Sequence, residues 1–129
     1  MSLTTEEKAR RFEKALRLAG NTHTIADVMD KVRANRAQCW NNGDSVIVTE
    51  VLVYPRVKAC NYWLLGGRLH ECLELQATID AWAKSEGCSV ATATGRMGWL
   101  AVTKMPLGTA WKPQGIKFTK DLHTPLGKE

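Results

Sequence analysis

Residues 61–74 read NYWLLGGRLHECLE. Apolar, β-forming side chains run as far as Leu65, two adjacent glycines follow, and an amphipathic pattern begins directly behind Arg68. A strand that hands over to a helix through Gly66, Gly67 and Arg68 admits two explanations. Glycines supply the backbone angles of a tight turn. They also let a ligand approach the main chain, and the N–H groups at a helix start attract phosphate with the help of the helix dipole. Arg68 would add a charge-assisted hydrogen bond to such an anion.

Behind the glycines, Leu69, Cys72, Leu75, Ile79, Trp82 and Ala83 recur along one helical face, while Glu71, Glu74, Asp80 and Lys84 mostly fall elsewhere. The spacing predicts a helix to about Ser85, closed by Gly87. Ahead of the glycines the period is two. AQCW, NNGD and SVIVTEVLV read as a short strand, a tight turn and a long strand, with Asn42-Gly43 offering the positive φ angles of a two-residue hairpin. Pro55 cannot donate to a central ladder, so YPR marks a second turn and VKACNYWLL a third strand. That strand is apolar on both faces from Tyr62 to Leu65, which predicts burial on both sides. CSVATAT, beyond the helix, is a short strand that the crossover allows to lie parallel to the third.

Toward the N-terminus, Thr4 with Glu7 fits a capping box, followed by Ala9, Phe12, Leu16 and Ala19 at helical spacing and by Gly20. Thr24 with Asp27 repeats the device ahead of Ile25, Val28, Met29 and Val32. Toward the C-terminus, GRMGWLAVTKM reads as a short helix or irregular turn. TAWKPQGIKFTKDL reads as a hairpin, with Ile116 and Phe118 alternating against Lys117 and Thr119. Residues 123–129 form a frayed tail. The expectation is one α+β domain over residues 1–129, built on a mixed sheet. It has two N-terminal helices, an antiparallel meander, a central helix, a parallel strand and a C-terminal hairpin.

At 129 residues the chain can bury one continuous core. No apolar run approaches the ~18 residues of a membrane span. The opening residues lack the apolar block of a secretory signal, so a cytoplasmic location without membrane contact is expected. The net charge of +5 permits contact with nucleic acid or an anionic cofactor. The basic residues are scattered, however: Arg10, Arg11 and Arg17 early, Lys112, Lys117 and Lys120 late. That distribution favours a solvated surface over a nucleic-acid groove. No two of Cys39, Cys60, Cys72 and Cys88 show the C-x2-C spacing of zinc or dithiol sites, and His23, His70 and His123 are far apart. No metal site is expected.

The order of elements resembles the GNAT N-acetyltransferase superfamily over roughly residues 37–122. A narrower likeness is to small GNAT-like proteins of unknown function encoded by tailed bacteriophages. It is carried by AWAKSEGC at 81–88, TGRMGW at 94–99 and Lys120-Asp121-Leu122. The resemblance implies acetyl-CoA as cofactor, with its pyrophosphate at the turn after the long meander strand and its pantetheine arm between two splayed strands. Carried onto this sequence, that makes Gly66, Gly67 and Arg68 cofactor-binding residues, with Arg96 beside the cleft. It also implies a host-cell cytoplasm or association with a virion. Two departures stand out. The family's turn has the pattern Arg/Gln-x-x-Gly-x-Gly/Ala, whereas here the glycines are adjacent. Active members often use a tyrosine after the later helix as general acid, whereas Tyr54 and Tyr62 both come earlier.

No catalytic residue is assigned. Two functions stay open: a catalytically silent module used for contact with its own copies or with a phage or host protein, and an acetyl-CoA-dependent N-acetyltransferase acting on an amine. Glu50, within VTEVLV, is a general base if buried at the cleft, or a solvated residue if it faces water. His70 reads as a surface residue, a phosphate contact or a base. Arg96 reaches an anion, caps a strand or pairs with a carboxylate. Trp40, Trp63, Trp82, Trp99 and Trp111 suit a filled core or a protein interface, because no basic–aromatic alternation makes them a base-stacking platform.

Overall fold

The computed structural model describes residues 10, 13, 16, 22–94, 97–115 and 117–123, with the backbone alone at 97–100. The chain clusters into two compact units, Met1–Trp99 and Leu100–Glu129.

The first unit holds helix α1 (Ile25–Arg33), strands β1 (Gln38–Asn42), β2 (Ser45–Val53) and β3 (Lys58–Gly66), helix α2 (Leu69–Ser85) and strand β4 (Val90–Ala93). The strands form one mixed sheet in the order β1-β2-β3-β4. The first three are antiparallel, and β4 runs parallel to β3 with Ala59 beside Val90 and Tyr62 beside Ala93. The expected meander, central helix and parallel strand are therefore present.

The local chemistry explains the boundaries. Thr24 accepts from the Asp27 N–H at 3.2 Å, and Asp27 accepts from the Thr24 N–H at 2.8 Å, so a reciprocal capping box starts α1. At the far end of α2, Gly87 takes φ +88. The Gly87 N–H donates to Lys84 C=O at 3.0 Å and the Cys88 N–H to Ala83 C=O at 2.9 Å. Those two bonds are a Schellman cap. The β1–β2 turn falls one residue later than the Asn-Gly pair suggests. Asn42 pairs with Ser45, so the loop is Gly43-Asp44, with Gly43 at φ +58. A primed turn with glycine in its first central place meets that geometry, and it frees the Asn42 side chain to bond Glu71 C=O at 2.9 Å.

One irregularity settles how β3 fills both faces. Val48 pairs with Leu64 but Thr49 pairs with Tyr62, leaving Trp63 as a bulge. Tyr62 and Leu64 would share a face in a regular strand; across the bulge they point to opposite faces. Leu64 joins Leu16, Val28, Ala37, Val46 and Val48 in a core packed on α1, with Ile25, Val32 and Trp63 against it. Tyr62 joins the α2 side, where Ile47, Cys60 and Ile79 are fully buried alongside Cys72, Leu73 and Ala83.

The C-terminal end of the chain departs from expectation, and the described residues of the N-terminal end do not. Of the first N-terminal helix, Arg10, Glu13 and Leu16 are helical, and the rest lies outside the described residues. The expected C-terminal hairpin is not formed among the described residues: 111–115 and 117–121 are irregular, and Ile116 lies outside them. Alternation alone does not make a strand there. Pro113 donates no N–H, Phe118 is 88% exposed, and an isolated two-stranded hairpin with no buried face is marginal in water. Residues 124–129 also lie outside the described part. The expected short helix or turn is present as a 3-10 helix at Met97–Lys104. No helix among the described residues is long and apolar enough to cross a membrane.

Candidate functional site

The glycine turn joins β3 to α2, and β2 begins directly beside it because Val46 pairs with Gly66. Gly67 adopts φ +121, and a Cβ there would lie 2.6 Å from Ser45 Cα and 2.7 Å from Ser45 Cβ, in collision with Ser45 Oγ as well. Both the backbone angle and the approach of β2 require glycine. Arg68, the N-cap of α2, makes no side-chain capping bond. Ser45, on the neighbouring strand, engages the N–H of the N-cap residue itself. Its Oγ accepts from the Arg68 N–H at 2.7 Å and donates to Glu71 Oε1 at 2.7 Å.

The helix start therefore carries a carboxylate of its own. Glu71 stands in the first turn, where negative charge is favoured by the dipole, and lies against Gly43. The Asn42 amide reaches Glu74 Oε2 at 3.4 Å. Arg68 Nη2 is 3.9 Å from the nearly buried Asp44 Oδ2. The first intrahelical bond is Cys72 N–H to Arg68 C=O at 3.1 Å, so the N–H groups of Leu69, His70 and Glu71 precede the ladder. His70 is exposed. Gly66, Gly67 and Arg68 are brought together at this turn; Arg96 lies outside the described residues, as does Gly95. Beside the turn, β4 pairs with β3 only as far as Tyr62 and Ala93, so residues 63–66 of β3 run on without a described β4 partner.

On the α1 face a polar chain crosses three strands. Thr92 Oγ1 donates to Asn61 Oδ1 at 2.9 Å, and Asn61 Nδ2 donates to Glu50 Oε1 at 3.1 Å. Lys31 Nζ donates to Glu50 Oε2 at 3.2 Å. Glu50 is neither a solvated residue nor a lone base: its side chain is 17% exposed and engaged through both oxygens. Lys31 Nζ also sits 4.7 Å from the Trp63 ring centroid, and the His23 ring meets Trp63 edge-on at 4.7 Å.

The α2 face holds a different set. Tyr62 donates to Asp80 Oδ1 at 2.6 Å. Burial first, then this hydrogen bond, pushes the phenol well above its ordinary range. Burial, with Cys88 and Asp80 nearby, pushes the Cys60 thiol up to about 11. Both groups are held neutral, which suits packing and disfavours nucleophilic chemistry. Trp40 donates to Thr49 Oγ1 at 3.0 Å and meets Trp82 edge-on at 5.5 Å. Among the described residues no group of three or more His, Cys, Asp or Glu side chains is placed to hold a metal ion.

Sequence reasoning did not single out Ser45, Asp44, Glu71, Lys31, Asn61 or Thr92. For Glu71 a signal existed: an acidic residue at the third helical position, where capping boxes place one. For the others the decisive fact is cross-strand register, which no local pattern carries.

No protein-family model matches the chain, and no curated protein is similar to it in sequence. Among solved structures it is similar to the TTHA1254 protein of Thermus thermophilus. The TM-score is 0.57 at 14% identity, over 95% of this chain and 96% of that one. It is also similar to a point mutant of the BH1408 protein of Bacillus halodurans. There the TM-score is 0.61 at 12% identity, over 92% and 93% of the two chains. At such identities the likeness is one of fold alone.

Proposed function

We propose that the chain is a phage-encoded, GNAT-like protein whose acetyltransferase fold is catalytically degenerate and serves as a protein-interaction or assembly module. One observation carries this reading. At the turn where the family resemblance would seat a pyrophosphate, Ser45 already caps the Arg68 N–H, and Glu71 supplies the negative charge the helix start favours. A diphosphate arriving there meets a carboxylate in the first turn, with Arg68 drawn toward Asp44. Like charges at that range oppose binding. The sheet also leaves material for a partner: β4 is exposed along its whole length, and Val53, Tyr54, Val57 and Val90 are exposed apolar residues.

Thermal unfolding with acetyl-CoA or CoA tests the reading. A ligand at a hundred times its dissociation constant would stabilise the fold by ~2.7 kcal/mol. The degenerate turn predicts no shift at millimolar coenzyme; a saturable rise overturns it.

The second reading is an active acetyl-CoA-dependent N-acetyltransferase on an unidentified amine, with the coenzyme at Gly66, Gly67 and Arg68 and with Arg96 near the cleft. The described β3–β4 pairing ends at Tyr62 and Ala93, and this favours it, because the β3 edge next to the helix start then has no partner among the described residues and offers backbone groups to a ligand. Direct attack of an amine on a thioester needs mainly positioning and a carbonyl-oxygen donor. Coenzyme turnover with a panel of primary amines separates it from the first reading.

A further inference from the structure

The Lys31 ammonium is held in the manner that proteins use to recognise an ammonium from outside. It meets a carboxylate oxygen of Glu50 at 3.2 Å and stands 4.7 Å from the Trp63 ring centroid. A carboxylate and an indole face together recognise an alkylammonium by charge and by the ring quadrupole.

Receptor and occupant belong to different elements. Glu50 lies on β2 and Trp63 on β3, both in the sheet, whereas Lys31 reaches in from α1. The receptor half is fixed independently of Lys31: Asn61 holds the other Glu50 oxygen at 3.1 Å, and Thr92 holds Asn61 at 2.9 Å. His23 braces the indole edge-on, and Thr22 Oγ1 lies 2.8 Å from His23 Nδ1. Trp63 follows Asn61 by two residues on β3 and so shares this face with it. Solvent reaches the occupant, since the Lys31 side chain is 32% exposed. A flexible four-carbon stem can therefore swing out without disturbing the strands.

We propose that Glu50 and Trp63 form a binding site for a primary ammonium on an unbranched alkyl stem, which Lys31 fills from within the chain. An external amine then competes with Lys31, and removing Lys31 strengthens its binding. The site is separate from the glycine turn and does not depend on whether coenzyme binds there.

The test follows the Trp63 indole N–H resonance, assigned by its absence in W63F, during titration with n-butylammonium chloride. In K31A the resonance shifts saturably. In the wild-type chain half-saturation comes at about tenfold higher concentration or more, because Lys31 occupies the site most of the time. K31A/E50Q shows no saturable shift, and neither does K31A with n-butanol. No shift in K31A, an equal shift in K31A/E50Q, or an equal shift with n-butanol overturns the proposal. If K31A does not fold, the wild-type titration decides: a saturable shift that E50Q abolishes supports the site, and its absence overturns it. A blocked lysine tripeptide run alongside assigns the source. Tighter binding than n-butylammonium indicates a protein lysine, and weaker binding a free amine.

Discussion

The two faces of the sheet are buried by different chemistry. On the α2 face, Ile47, Cys60 and Ile79 are fully buried, and Cys60 and Tyr62 are held neutral, with Tyr62 donating to Asp80. On the α1 face an apolar core of Val28, Val46, Val48 and Leu64 gives way to Lys31, Glu50, Asn61 and Thr92. A neutral face gains from burial and asks only to be packed. A face crossed by charges gains little net stability, since desolvation offsets attraction, so its geometry invites a reason beyond holding the fold. The glycine turn, where β2, β3 and α2 meet, is charged through Asp44, Arg68 and Glu71, and these groups are engaged by one another and by Ser45.

The largest expected effect is at that junction. Gly67→Ala places a Cβ against Ser45 backbone at a positive φ. It should cost about 3 kcal/mol or more in chemical denaturation. Gly87→Ala, with only the distant Lys58 side chain nearby, should cost about 1–2 kcal/mol from strain alone. Equal losses at the two sites would remove the close-approach explanation.

Between the faces, the neutral one should lose more to a single change. Ile79→Ala empties a fully buried position on the α2 side and should cost ~2–5 kcal/mol. Glu50→Gln keeps shape while leaving the Lys31 charge without its partner, at about 1–2 kcal/mol because the pair is partly solvated. If Glu50→Gln cost as much as Ile79→Ala in urea melts, the charged face would be structural, contrary to the contrast drawn. Ser45→Ala, which removes the cross-strand cap, should cost about 1 kcal/mol.

A separate effect is a pH limb. The folded state holds the Cys60 proton more tightly than the unfolded chain does, with the thiol moved from 9.0 to about 11. Stability from this source is fully present below pH 9 and is lost as pH rises toward 11. Tyr62 acts in the same direction. Cys60→Ala should lessen the alkaline limb, to which Tyr62, Cys72 and Cys39 also contribute, as read by denaturant midpoints from pH 8 to 11. An unchanged slope would place the proton elsewhere.

Much of the architecture was legible because it is written in local chemistry. The Thr24–Asp27 box, the Gly87 stop, the turn at Pro55 and the handover at Gly66 each follow from a few adjacent residues. The C-terminal alternation around Phe118 misled because period two states a preference that only a packed face can realise. The bulge at Trp63 was illegible for a related reason: NYWLL reads as doubly apolar whether or not one residue is extruded. The site was half legible. The glycines announced a special turn, but its closure depends on Ser45, twenty-two residues upstream of Gly67 by sequence numbering, which register alone brings near. Glu50 was visible as a charge in an apolar strand; Lys31, Asn61 and Thr92 came from three other elements.

The closed helix start is tested most directly by following the backbone amides of Gly67, Arg68, Leu69, His70 and Glu71 in an NMR titration with CoA. With the Arg68 amide held by Ser45 and the Glu71 carboxylate standing in the first turn, they should show no saturable shift at millimolar coenzyme. A saturable shift confined to these amides, weakened by Arg68→Ala, would contradict the closed turn and restore the coenzyme site.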